Sequence, residues 1–191
     1  MKKFELTSEF ATFLGKKLFR IKALVEFGNV EAGELGGYIE KEENLSQSGD
    51  AWVYGNAKVY GNAEVCGNAK VYGNAKVYGN ALVCGNAWVY GNAKVCGNAW
   101  VYGNAEVCGN AEVCGNADYA YAHGFGSEYR TTTFFRLKDG GIGVCCGCFY
   151  GTMQEFRDKV RETHKETKKA KEYLMLADLM ELRFSKEETE E

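Results

Sequence analysis

The side chains with the readiest chemistry in this chain are two histidines and eight cysteines, and none sits in an arrangement that spells out a reaction. His123 could act as a general base, a role that needs an imidazole within hydrogen-bond reach of a substrate proton. Cys145, Cys146 and Cys148 form the run Cys-Cys-Gly-Cys, and with His164 they offer soft donors to a metal. Tetrahedral zinc sites space their thiolates more widely, as Cys-x₂₋₄-Cys. Strand alternation sends Cys146 and Cys148 to one face and Cys145 to the other, so the run reads as small apolar packing. No metal and no cofactor is expected. The remaining cysteines, 66, 84, 96, 108 and 114, recur at a position where tyrosine otherwise stands. That pattern is not a disulfide framework, and free thiols in a reducing cytosol are the expectation. The other candidate residues are aromatic. Trp52, Trp88 and Trp100, with Tyr54, Tyr72 and Tyr90, suit contact rather than reaction.

These residues are placed by a repeat. Residues 49–120 are twelve six-residue units, nearly all Gly-Asn-Ala-x-Val-(Tyr/Cys). A fixed short period of this kind signals a solenoid. Within a unit such as residues 55–60, alternation turns Ala57 and Val59 one way and Lys58 and Tyr60 the other. The Ala/Val pair never changes in kind, so it faces inward. Gly-Asn makes the corner, because both residues tolerate positive φ. These units resemble the hexapeptide-repeat β-helix family, which places three hexads on each coil, and the resemblance implies four coils, 51–68, 69–86, 87–104 and 105–122. Stacking by 18 then produces outward columns such as Tyr54, Tyr72, Tyr90, Cys108. It also sets Cys66 against Cys84 and Cys96 against Cys114. Trp88 and Trp100 point outward and are read as an adjacent interface pair. Lys58, Lys76 and Lys94 form a basic column read as a solvated face.

The flanks are not repetitive. Phe4 to Thr7 and Leu18 to Val25 read as a β-hairpin turning at Gly15-Lys16-Lys17 and covering the first coil, since an open solenoid end is an unpaired sheet edge. Residues 33–48 are degenerate repeat, with Ile39 and Leu45 inward in phase with Ala51. Thr131 to Lys138 and Ile142 to Tyr150 read as a second hairpin around Asp139-Gly140-Gly141. Thr152-Met153-Gln154-Glu155 is a capping box opening a helix to about His164. A second helix, from about Lys168 to Phe184, has a broad apolar stripe, and an acidic tail from Ser185 to Glu191 follows. The expected divisions are an N-terminal β cap (1–34), the repeat (35–122), a β-hairpin (123–151) and a two-helix module (152–191). Leu176, Leu179, Met180 and Phe184 exceed what one helical hairpin can cover and are assigned to self-association into a homo-oligomer.

The hexads resemble the hexapeptide-repeat, left-handed parallel β-helix family, and the left hand is what that resemblance implies. The Leu18–Leu24 strand, the segment Gly36 to Ser46 (GGYIEKEENLS) and the hexads together look like the YdcK-like group of bacterial and prophage proteins, often labelled transferases. The segment Thr133 to Thr152 is similar to a C-terminal module of phage-borne members. The family's enzymes use a histidine at a subunit cleft for acyl transfer and interrupt the repeat with a loop that walls the site. Here the array is uninterrupted and neither histidine lies in it, so the acyltransferase reading rests on His123 alone. A γ-type carbonic anhydrase site needs three zinc histidines and the chain has two.

The net charge of −3 excludes a global basic field for nucleic acid. No run of 18 apolar residues exists, so no membrane span is expected. The N-terminal segment is too charged for a signal peptide. The sequence therefore implies a mainly β, capped β-helix in the cytosol. It would be a non-catalytic protein-interaction scaffold, a phage accessory factor that binds and inhibits a host protein, such as a defence-system component.

Overall fold

A computed structural model describes residues 2–126 and 128–185; the end of the acidic tail read from sequence, 186–191, lies outside the described residues. The chain opens with β1 (Phe4–Phe13), β2 (Lys16–Ala23) and β3 (Leu35–Ile39). Eleven two-residue strands follow: β4 (Trp52–Val53), β5 (Lys58–Val59), β6 (Glu64–Val65), β7 (Lys70–Val71), β8 (Lys76–Val77), β9 (Leu82–Val83), β10 (Trp88–Val89), β11 (Lys94–Val95), β12 (Trp100–Val101), β13 (Glu106–Val107) and β14 (Glu112–Val113). The C-terminal part holds β15 (Tyr119–Phe125), β16 (Arg130–Arg136), β17 (Ile142–Cys146), β18 (Phe149–Thr152), α1 (Met153–His164) and α2 (Lys168–Phe184).

The repeat is a β-solenoid of about four turns. Its three parallel sheets run β3-β5-β8-β11-β14, β4-β7-β10-β13 and β6-β9-β12. The register is 18 throughout the array, for example Trp52↔Lys70 and Lys70↔Trp88. The alanines and valines of the first eleven hexads are inside, and Val53, Val59, Val65 and their successors have no exposed surface, whereas Ala117 of the twelfth unit is exposed. The corner differs from expectation in one respect. Only glycine takes positive φ, as at Gly61 with φ 72°. The asparagine beside it is spent on a ladder instead. Asn62 Nδ2 donates to Asn80 Oδ1 at 3.2 Å and Asn80 to Asn98 at 3.0 Å, with parallel ladders at the other corners. Stacked identical amides satisfy one another between coils, as they do in cross-β stacks.

The first turn is longer than the rest. Ile39 pairs with Val59 and Leu45 with Val65, a register of 20. Both are buried as expected, but they lie in the valine layer, not in phase with Ala51. Gly36 and Gly37 let β3 press on this turn. A Cβ on Gly36 would meet the Val53 carbonyl oxygen at 2.6 Å, and one on Gly37 the Ala57 oxygen at 2.7 Å.

The N-terminal hairpin is longer than read, and it covers the first turn by packing Phe4 and Ile21 on the solenoid core. It pairs antiparallel with β3 and so extends one face into a seven-stranded sheet. The hairpin expected around residues 139–141 is present as β16–β17 and is flanked by β15 and β18 in a four-stranded antiparallel sheet. Residues 119–125, which lose the period, become its first strand. The sheet's two faces separate cleanly by alternation. Phe135 and Cys145 join the solenoid core, whereas Phe134 and Val144 lie under α1 and α2 with Phe156, Val160 and Tyr173. Thr152 caps α1 through the expected box with Glu155, and Thr167 caps α2. Among the described residues, no helix is long and apolar enough to cross a membrane.

Candidate functional site

The outward columns begin as expected and are then modified by the flanks. Identical rungs stack their rings in parallel. Tyr60 and Tyr78 lie 5.1 Å apart with planes 1° from parallel, and Tyr72 and Tyr90 lie 4.8 Å apart at 2°. Burial pushes the Tyr60 and Tyr72 phenols up to about 12. Trp52 has no exposed surface, because Phe4 and Phe27 of the N-terminal segment close over it at 6.2 Å and 5.4 Å. It offers no contact surface. Tyr54, Tyr72 and Tyr90 are half-buried. Phe13 of the hairpin sits 5.7 Å from the ammonium groups of both Lys58 and Lys76, so the basic column is partly covered rather than solvated along its length.

Trp88 and Trp100 are exposed, at 40% and 54%. They are not adjacent: β10 and β12 belong to different sheets, so the two rings project from different faces. Trp88 is engaged locally, with the Lys70 ammonium 5.6 Å from its ring and Tyr72 edge-on at 6.2 Å. Trp100 borders an open groove of about 620 Å³ with Tyr102, Tyr121 and Arg183. Tyr102 is 50% exposed, and Tyr121 meets it edge-on at 6.2 Å. The hexad pattern already marked Tyr102 as outward. Arg183 comes from the end of α2, and no spacing in the sequence signals it.

A second cluster lies where the C-terminal sheet meets the last turn. Cys108 and Cys145 are both 1% exposed. The Tyr90 hydroxyl lies 3.2 Å from Cys145 Sγ and donates to Glu106 Oε2 at 3.3 Å, while Cys145 Sγ donates to the same carboxylate at 3.5 Å. The neighbouring Cys145 thiol, then the Tyr90 hydroxyl, pull the Cys108 thiol down against the opposing effect of burial. Cys108 in turn, together with burial, drives the Cys145 thiol up. Burial, then Cys145, raises the Tyr90 phenol. Neighbouring buried thiols divide their acidity in this way, because charge on one disfavours charge on the other.

Behind the same sheet is a cavity of about 260 Å³ walled by Phe149, Phe156 and Tyr173. It brings together Cys146, Cys148 and His164, the residues weighed as metal donors, and leaves Cys145 on the opposite face as alternation required. Thr132 Oγ1 donates to Cys146 Sγ at 3.2 Å, and the His164 ring stacks on Tyr173 at 5.7 Å. Among the described residues, no three His, Cys, Asp or Glu side chains are disposed to hold a metal ion. His123 is exposed on β15, and its Nδ1 is 2.9 Å from Thr131 Oγ1. Of the residues assigned to self-association, Met180 and Phe184 are buried in the module's own core and Leu176 is partly buried against it. The sheet beneath the helices, not a second chain, covers them. Leu179 is exposed, in one helical stripe with Met175 and Leu182.

Cys96 and Cys114 are joined Sγ to Sγ with Cα atoms 4.3 Å apart, so the stacking predicted for this pair holds and the expectation of eight free thiols does not. Cys66 and Cys84 stack as thiols, and burial pushes Cys66 up to about 11. No curated protein matches the chain. Residues 75–91, inside the array, match the family model described as YdcK Beta solenoid repeat, and the structure around them is a β-solenoid of about four turns.

Proposed function

We propose that the chain is a non-catalytic β-solenoid scaffold that binds a protein partner. Its setting is that of a phage or prophage accessory factor in the host cytosol, which engages a host protein, such as a defence-system component, and inhibits it. The observation that carries the binding reading is the pair Trp100 and Tyr102, about half exposed and side by side above a groove that ends on Arg183. Exposed aromatics beside an arginine are the composition of interface hot spots. A solenoid face holds such rings on fixed rungs, so little conformational freedom is lost on binding. The phage setting rests on the likeness of residues 133–152 to modules of phage-borne proteins. Self-association belongs to the same reading, through the exposed stripe Met175, Leu179 and Leu182.

The test is a comparison of the full chain with a Trp100→Ala/Tyr102→Ala variant, each as bait in host lysate. The expected outcome is a specific partner retained by the parent and lost by the variant at unchanged melting temperature. Acyl transfer from an acyl-CoA donor, abolished by His123→Ala, would overturn the reading in favour of an enzyme.

A further inference from the structure

Each of the five cysteines in the array has a second thiol against it, although tyrosine is the commoner residue at that hexad position. Cys96 and Cys114 are bonded. Cys66 and Cys84 follow the paired strands β6 and β9 and stack as free thiols on adjacent coils. Cys108 breaks the stacking rule: its neighbour one coil earlier is Tyr90, and no coil follows it. Its partner is supplied from outside the repeat by Cys145 of β17, whose Sγ lies 3.2 Å from the hydroxyl of Tyr90, the rung before Cys108, and 3.5 Å from Glu106 Oε2, in the same buried cluster as Cys108. Packing does not require this, because the hexad position accepts tyrosine elsewhere in the same column.

We propose that Cys108 and Cys145 are an oxidisable dithiol whose disulfide fastens the C-terminal sheet to the last turn of the solenoid, with a peroxide as the oxidant. The Cys108 sulfur attacks one peroxide oxygen and the O–O bond breaks. Cys108 becomes a sulfenic acid, and the departing hydroxide takes the proton Cys108 has given up and leaves as water. The Cys145 sulfur then attacks the sulfenic sulfur. The S–S bond forms, the S–O bond breaks, and the second hydroxide leaves as water with the Cys145 proton. Two thiols and one peroxide give one disulfide and two waters. Cys108 is the attacking partner because the Cys145 proton is given in a hydrogen bond to the Glu106 carboxylate, while the surroundings of Cys108 favour the thiolate, the nucleophilic form. Glu106 marks the way in. It lines the surface groove beside Trp88 with Thr131 and Gly147, and its carboxylate reaches the Cys145 thiol. The proposal is independent of partner binding.

The experiment uses the full chain in a Cys146→Ser/Cys148→Ser background, which removes the neighbouring thiols that could exchange with Cys145. The protein is reduced, freed of reductant, and treated folded with hydrogen peroxide. It is then unfolded in iodoacetamide and mapped by tandem mass spectrometry. The expected result is a Cys108–Cys145 linked peptide in most molecules and a melting temperature several degrees higher, reversed by dithiothreitol. Cys145→Ser keeps a hydrogen-bonding group beside Tyr90. In that variant the link is absent, the rise disappears, and Cys108 is trapped as its sulfenic acid by dimedone. Full alkylation of both Cys108 and Cys145 after a peroxide dose that oxidises Cys66 and Cys84 overturns the proposal. A rise in melting temperature that persists in Cys145→Ser overturns it equally.

Discussion

Asn44 is the residue whose loss should most clearly expose how the first turn is closed. In the array, the N–H of each x residue and of each asparagine reaches a carbonyl on the next coil, as Glu64 does to Ala81 and Asn62 to Gly79. One turn earlier the backbone leaves this pattern, because residues 42–44 form a 3₁₀ turn and the Asn44 N–H is taken by the Lys41 carbonyl. The Asn44 side chain replaces the missing donors. Its Nδ2 gives hydrogen bonds to Gly61 O at 3.1 Å and Ala63 O at 2.8 Å, while Oδ1 accepts from Lys41 N at 3.0 Å. Asn44→Ala orphans three backbone groups, one buried and two partly so. At about 2 kcal/mol for the buried group and about 1 for each of the others, the loss is about 4 kcal/mol. The measurement is the urea midpoint at pH 7, read with the slope to confirm that the folded state is unchanged. Asn44→Asp keeps the shape but turns a carboxylate on two carbonyls. It should be at least as damaging at pH 7 and should recover as the carboxyl is protonated. A loss under about 1 kcal/mol for Asn44→Ala, or an Asp variant that matches the parent, refutes the reasoning.

Two further outcomes follow from the same end of the molecule. Gly36→Ala should cost upwards of about 3 kcal/mol in chemical denaturation, because the new Cβ meets Val53 O and the Trp52 ring at 2.6 and 2.7 Å. Gly55→Ala, with φ 57° but open space, should cost only about 1 kcal/mol of backbone strain. Burial lowers the Lys3 ammonium to about 8, so between about 8 and 10.5 the unfolded chain binds the proton that the native chain has released. Its contribution to stability therefore rises with pH across that window, and the rise should vanish in Lys3→Met. The comparison must be a difference, since the raised Cys66 thiol and Tyr60 phenol remove stability above pH 9 and 10. A parent-minus-variant curve flat from pH 8 to 10 counts against a desolvated Lys3.

The period itself carried most of the solenoid. A six-residue repeat with invariant Ala and Val defines the inward face, and stacking by 18 predicts every strand partner of the array without further information. What the period could not carry lies where non-repeating segments touch it. Trp52 is chemically like Trp88 and Trp100, but its exposure depends on Phe4 and Phe27, which no spacing ties to it. Ile39 and Leu45 keep the spacing of six, yet two extra residues before Val53 shift them from one inward layer to the other. Met180 and Phe184 look surplus on a helical hairpin considered alone. They are core because Phe134 and Val144 present a sheet face beneath them. Cys108 could be placed on an outward column, whereas its thiol partner is thirty-seven positions away in a strand of unknown docking.

The ends of the molecule obey a rule that the middle does not show. A parallel solenoid is polar along its axis in the majority of its bonds. In each hexad the N–H groups of the x residue, the Tyr/Cys and the asparagine point toward the next coil and the Ala, Val and Gly carbonyls toward the previous one, while the Val N–H and the x carbonyl pair in the opposite sense. The first regular turn therefore presents mostly unpaired acceptors and the last mostly unpaired donors, and each must be met in kind. At the start the caps are donors. Lys3 Nζ covers Gly49 O and Ala51 O at 3.2 and 2.9 Å, Tyr38 N covers Ala57 O, and the Asn44 amide covers Gly61 O and Ala63 O. At the finish they are acceptors. Asn116 Oδ1 takes the Trp100 N–H at 2.8 Å, Thr133 Oγ1 that of Glu106 at 2.9 Å, and the Tyr150 hydroxyl that of Asn110 at 3.2 Å. The same polarity would let a bare first turn accept a bare last turn of another copy, the open-ended contact that builds fibres. The two cap sets close that route with opposite chemistries. They also leave the outward columns as the part of the solenoid free to carry specificity.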